Sequence, residues 1–144
     1  MRVAQALILI PVFFQAALTL CILALLWVER VRWMKSQRIR PNDVALAGAS
    51  VWSERAQKLS NNYSNLLELP VLFYVCSLAA LSLRMVDLWM LVLAGAFVVS
   101  RLVHSAIHIG PNWVLQRFYA ALSSMIFVSM MWVLLMWRVA AAGF

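Results

Sequence analysis

Four long apolar stretches divide the chain. They run from Val3 to Val28, Tyr63 to Leu83, Leu88 to Ile109 and Val114 to Trp137. About 20 helical residues cross the hydrocarbon layer of a bilayer, so each stretch is long enough to span it. The breaks are polar or stiff. Glu29, Arg30 and Arg32 end the first stretch, and residues 29–60 form a polar loop in which Pro41-Asn42-Asp43 reads as a turn or helix start. Ser53-Glu54 fits the start of an exposed helix that runs on into the second span. Arg84 and Asp87 mark a short turn, and Gly110-Pro111-Asn112 breaks the chain sharply before the fourth span. The pattern predicts an all-α integral membrane four-helix bundle, one domain over residues 1–144, with no internal repeat. The first stretch is longer than a signal-peptide core, ends in charge and lacks a small-x-small cleavage site, so it reads as a retained helix.

Composition agrees. Of 144 residues, 65% are hydrophobic and 12% charged, about half the charged share of an ordinary soluble domain. Mean hydropathy is +0.89. The net charge of +7 is concentrated in the first loop, with Arg30, Arg32, Lys35, Arg38, Arg40, Arg55 and Lys58. The turn between spans two and three carries only Arg84. Loop bias of this kind places the first loop in the cytoplasm and both termini on the opposite side. It also fits anionic lipid better than nucleic acid, for which no recognition motif is present. Trp27, Trp33, Trp89, Trp113 and Trp137 fall near span ends, where amphipathic rings settle. Cys21 and Cys76 lie in apolar runs without metal-ligand spacing and read as small hydrophobes.

The informative residues are ionisable groups at membrane depth. Glu68, Arg101, His104, His108 and Arg117 each cost on the order of 3 kcal/mol at a bilayer centre, so such groups tend to face one another, water or a ligand. Asn61, Asn65 and Glu68 share one face of the second helix, Arg101, His104 and His108 one face of the third, and Arg117 and Ser124 one face of the fourth. All three stripes lie toward the first-loop side. Converging, they would form a polar pocket with surplus positive charge, suited to an anion. The plain alternative is a buried ion pair from Glu68 to Arg101 or Arg117. His104 and His108 at i, i+4 would fit a metal, but no third protein ligand is evident and no metal is expected. Pro70 leaves the Leu66 carbonyl without its helical donor, consistent with either a functional kink or a tolerated membrane proline.

These residues resemble a known family, the membrane-associated proteins in eicosanoid and glutathione metabolism (MAPEG). Asn65-Leu66-Leu67-Glu68-Leu69-Pro70 is similar to the family's Asn-x-x-Glu followed by proline on helix two. Arg101-Leu102-Val103-His104 follows on helix three, with Arg117 sixteen residues after Arg101. The resemblance covers about residues 5–138. It implies a four-helix protomer assembling as a homotrimer, with glutathione as co-substrate bound between subunits near the cytoplasmic side. It further implies that Asn65, Glu68, Arg101, His104 and Arg117 line that site; His108, on the same helix-three stripe, is a further candidate for binding the co-substrate. Arg117 would stabilise the thiolate that attacks a lipophilic small molecule arriving from the bilayer.

The chain departs from the family pattern at Asn61, where an arginine is frequent, at His108 and Ala121, where tyrosines are common, and at Phe118, where some members carry a small polar residue. The expected function is a glutathione-dependent transferase or peroxidase acting on lipophilic electrophiles, in a bacterial inner membrane. The alternatives are a non-catalytic scaffold or partner subunit of the same fold, and a small transporter using Glu68 as a proton-coupled site.

Overall fold

The structure is a computed structural model, and it describes residues 4–44, 48 and 51–143; Val3, where the first apolar run begins, lies outside them. Four helices account for most of the chain: α1 (Leu9–Gln37), α2 (Glu54–Ser82), α3 (Leu88–Ile109) and α4 (Val114–Ala141). A short 3-10 turn, Gln5–Ile8, leads into α1, and another, Pro41–Val44, lies in the first loop. In hydrocarbon every backbone polar group needs an internal partner, and a helix supplies it within its own segment. The most extensive packing is α3 on α4, then α1 on α2.

All four helices are long and apolar enough to cross a membrane, yet only 17% to 39% of each apolar window is buried inside the chain. The remaining apolar surface, including Phe13, Phe14, Leu72, Val133 and Met136, points outward. Outward apolar faces on four such helices belong in lipid, and the protein is an integral membrane protein.

The helix ends follow local chemistry. α1 continues through Gln37, well past the apolar run, and stops where Arg38 turns left-handed at φ 54°. The Ile39 amide then bonds back to the Met34 carbonyl at 3.0 Å, satisfying an end carbonyl of the helix. Ser53 caps α2 by accepting from the Ala56 amide at 3.1 Å, as Ser53-Glu54 predicts. Its hydroxyl also donates to Glu29 at 3.0 Å, tying the loop to the end of α1. Asp87 caps α3 through the Met90 amide at 2.9 Å. Between α3 and α4 a side chain at Gly110 would meet the Ala106 carbonyl at 2.9 Å, so glycine fits the tight turn.

Two apolar clusters hold the bundle. The larger includes Ile8, Phe73, Cys76, Met90, Phe97 and Met131, with Phe73 and Phe97 stacked at 4.5 Å. The smaller joins Ile22 and Leu26 of α1 to Leu59 and Leu66 of α2. Cys76 is buried and Cys21 exposed, and both are free. α2 stays helical through Pro70, which is buried.

Candidate functional site

The polar groups gather where α3 ends and α2 and α4 begin, the end of the bundle that carries the long loop. Arg101, His104 and His108 project from one face of α3 because their spacing returns them to the same side. That face is turned inward: Arg101 is 2% exposed, His104 3% and His108 2%. Arg101 reaches α2, where Nη2 donates to the Asn65 carbonyl at 2.9 Å. One turn further, the Ser105 hydroxyl donates to Asn62 Oδ1 at 3.2 Å.

The histidines engage α4. His104 Nδ1 lies 3.1 Å from the Arg117 carbonyl. A carbonyl only accepts, so Nδ1 carries the hydrogen and Nε2 keeps a lone pair in the neutral ring. Arg117 Nη1 lies 3.2 Å from His108 Nε2 and donates to Asn112 Oδ1 at 2.7 Å. A guanidinium only donates, so His108 Nε2 accepts and its Nδ1 bears the hydrogen. Asn112 holds this position from a left-handed conformation at φ 55° in the α3–α4 turn, a region asparagine tolerates better than most residues.

Four buried atoms of this cluster have no hydrogen-bond partner among the described residues: Arg101 Nε, Asn62 Nδ2, His108 Nδ1 and His104 Nε2. With the tautomers above, three are donors and one is an acceptor. An unmade hydrogen bond at a buried group costs about 1–3 kcal/mol, so these atoms favour a further hydrogen-bonding partner. No acid is buried with it. Glu68 is exposed on α2 and, among the described residues, forms no ion pair with Arg101 or Arg117. Its charge acts on Arg101 only from a distance. The local field is positive, as an anion requires.

The expected convergence is therefore partial. Arg101, His104, His108 and Arg117 come together, whereas Asn61 and Glu68 stay on the outside of the protomer and Asn65 contributes its carbonyl. The reason is helical phase. α2 buries Leu59, Asn62, Leu66 and Phe73, and at 100° per residue the stripe Asn61–Asn65–Glu68 falls beside that face. The buried Glu68 ion pair considered from the sequence does not form, and Glu68 does not enter the bundle interior. Ser124, on the Arg117 stripe, is buried and bonds its own helix at the Ala121 carbonyl, 2.7 Å away. Among the described residues, no three histidine, cysteine, aspartate or glutamate side chains gather as a metal site.

Sequence reasoning missed Asn62, Ser105 and Asn112. Asn62 had a usable signal, since it sits at apolar spacing between Leu59 and Leu66. Gln15 was missed as well. It lies in α1 between the two apolar clusters, fully buried, with neither amide atom partnered among the described residues. Two apolar grooves lie away from this cluster. One of about 630 Å³ runs between α3 and α4 past Trp89, Met125, Met130 and Trp137. Another of about 460 Å³ lies between α1 and α3 at Phe14, Gly95 and Leu102. Both are lined almost wholly by apolar side chains.

The MAPEG family model matches residues 8–137, nearly the whole chain. The chain belongs to the MAPEG family. Comparison with curated proteins and with solved structures gives no match. In this MAPEG chain the motif positions on helix three, Arg101 and His104, are the interior ones, while those on helix two, Asn65 and Glu68, flank the outer surface. The family is associated with glutathione use. An incomplete donor array around two arginines is compatible with the carboxylates and thiolate of such a molecule.

Proposed function

We propose that this MAPEG protein is a membrane-embedded transferase or peroxidase. It would use glutathione or a related thiol against lipophilic electrophiles or lipid hydroperoxides. One observation carries the reading: Arg101 and Arg117 sit among unsatisfied buried donors with no acid inside the bundle to neutralise them. On this reading Arg101, His104, His108 and Asn65 hold the co-substrate. Glu68 faces its ammonium group, and Arg117 favours the thiolate, because a nearby cation lowers a thiol pKa. The thiol supplies the nucleophilic sulfur, and the lipophilic partner arrives laterally through the bilayer.

The same reading gives the oligomer. An acid exposed to hydrocarbon is costly, on the order of 3 kcal/mol at a helix centre. Packing the Asn61–Asn65–Glu68 face of α2 against a neighbouring copy removes that cost and brings Glu68 into a site shared between protomers. A homotrimer, the assembly that the family resemblance implies, is proposed to supply that neighbour. The basic loop then faces the cytoplasm of a bacterial inner membrane.

The test is calorimetric titration of the purified protein with glutathione, paired with conjugation and hydroperoxide-reduction assays on wild type and Arg117→Ala. Binding is expected, with turnover reduced about a hundredfold in the variant, as for loss of one stabilising donor to a developing anion. Absence of glutathione binding together with identical behaviour of the variant would end the enzyme reading. Asn61, exposed where family members often carry an arginine, favours a second reading as a non-catalytic partner subunit of the same fold. Co-purification of a stoichiometric partner without thiol-dependent activity would select it.

A further inference from the structure

The basic residues of the first loop fall into two sets that the sequence does not separate. One set is engaged. Arg30 donates to Ser60 at 3.4 Å and lies over the Trp52 ring at 4.8 Å. Arg55 pairs with Glu29 at 3.7 Å, and Lys58 with Glu54 at 2.7 Å. The other set is Arg32, Lys35, Arg38 and Arg40. All four are exposed, and none of their side chains makes a hydrogen bond or ion pair among the described residues.

Helix geometry explains the division. Trp33 donates from Nε1 to the Val51 carbonyl at 2.8 Å, and together with Arg30 it fastens the loop against one side of α1. At 100° per residue, Arg32 and Lys35 lie on the opposite side. Neighbouring acids offset them only in part. Glu29 and Glu54 are committed to Arg55 and Lys58, and Asp43 accepts from the Arg40 backbone amide at 3.3 Å. Residues 45–47, 49 and 50, which are not described, include no acid.

Depth supplies the ligand. The apolar part of α1 from Leu9 to Val28 measures about 30 Å, the thickness of the hydrocarbon layer. Exposed Trp27 marks its edge. Arg32 and Lys35 then stand about 5–10 Å beyond that edge, level with lipid phosphates. Arg38, turned left-handed at the helix end, and Arg40 continue the positive surface just above.

We propose that Arg32, Lys35, Arg38 and Arg40 form a binding surface for the phosphate headgroups of anionic phospholipids, separate from the candidate thiol site. Each basic side chain at an anionic surface strengthens attachment about fivefold, and the attraction weakens with salt.

The test titrates the detergent-solubilised full chain with short-chain phosphatidylglycerol, phosphatidylcholine or inorganic phosphate, reading tryptophan fluorescence and thermal melting. Phosphatidylglycerol is expected to bind at least tenfold more tightly than phosphatidylcholine, with the difference shrinking as salt rises. Arg32→Gln, Lys35→Gln, Arg38→Asn and Arg40→Gln together should abolish the preference, while Arg55→Gln with Lys58→Gln should keep it. If the fourfold variant does not fold, the Arg32→Gln and Lys35→Gln pair should still lose most of it. The proposal is overturned by a wild type that does not discriminate between the two lipids, by variants that retain the preference, or by an equal loss in the Arg55 and Lys58 control. Competition by inorganic phosphate at matching concentration would also overturn it, because the ligand would then be a free anion rather than a lipid.

Discussion

The two ends of the bundle are built from similar residues and finished very differently. At the end away from the long loop, the polar groups are closed on one another. Gln5 Nε2 donates to the Val86 carbonyl and Gln5 Oε1 accepts from the Val86 amide, both at 2.9 Å. Arg138 bonds the carboxylate of Asp87 and donates to the Met85 carbonyl at 2.8 Å. At the loop end, Arg101 and Arg117 have no buried carboxylate, and four interior atoms lack partners. An ion pair that neutralises itself and caps a helix needs nothing more. A cationic cluster with unmade bonds is costly as structure alone, and that cost supports the ligand reading proposed for this end.

The largest expected effect tests the closed end. Asp87→Ala removes the α3 cap, worth about 1 kcal/mol, and strips half-buried Arg138 of its carboxylate. A total loss near 2 kcal/mol is expected in thermal or denaturant unfolding in detergent. Burial pushes the Asp87 pKa up, but the Met90 amide and Arg138 outweigh it and hold the carboxyl below its ordinary value. A depressed folded pKa gives stability that is present above the unfolded value, about 3.9, and is lost as pH falls through the lower folded value. Wild type should therefore lose this contribution only below about pH 4, and Asp87→Ala should show no such loss. Stability of wild type that is flat through that range would remove the carboxylate from the account.

Gln5→Ala should come next, at about 1–2 kcal/mol, because it strands the amide and carbonyl of buried Val86 together. Gln5→Glu keeps the acceptor but sets an oxygen against the Val86 carbonyl, so it should not restore wild-type stability. A Gln5→Ala protein as stable as wild type would mean that the turn is closed by Asp87 and Arg138 alone.

The sequence shows these ends unequally. Four long apolar runs and their breaks were legible because lipid leaves so few backbone solutions. So was the caution around Arg101, His104, His108 and Arg117, since charge at membrane depth stands out against an apolar background. What failed was direction. Asn61, Asn65 and Glu68 share a face, but the face that α2 turns inward is set by Leu59, Leu66 and Phe73, and it takes Asn62 with it. Spacing defines a stripe without saying whether the stripe meets its own bundle or a neighbour's. Asp87 was read only as part of a turn, and its tie to Arg138 and the Gln5–Val86 contact were not foreseen, because a contact across 51 or 81 residues leaves no local pattern.

The smallest expected change in stability falls at Arg101, and it bears hardest on the comparison. Arg101→Met keeps the length of the side chain and removes a buried charge that has no buried acid to strand. The Asn65 carbonyl loses the 2.9 Å bond from Nη2 but remains within the helical ladder of α2. Removing an unpaired buried charge in favour of an apolar side chain of similar size offsets the lost hydrogen bond, so little net loss of stability is expected. The melting temperature of Arg101→Met should therefore stay close to that of wild type, while thiol affinity measured by calorimetry falls at least about tenfold, as for loss of a charge-assisted contact. A drop in stability as large as that of Asp87→Ala would show that the loop end is as structurally committed as the other, and the contrast between a closed end and a receptive one would not stand. Stability kept with binding lost is the opposite outcome, and it is what a site maintained for binding rather than for the fold requires.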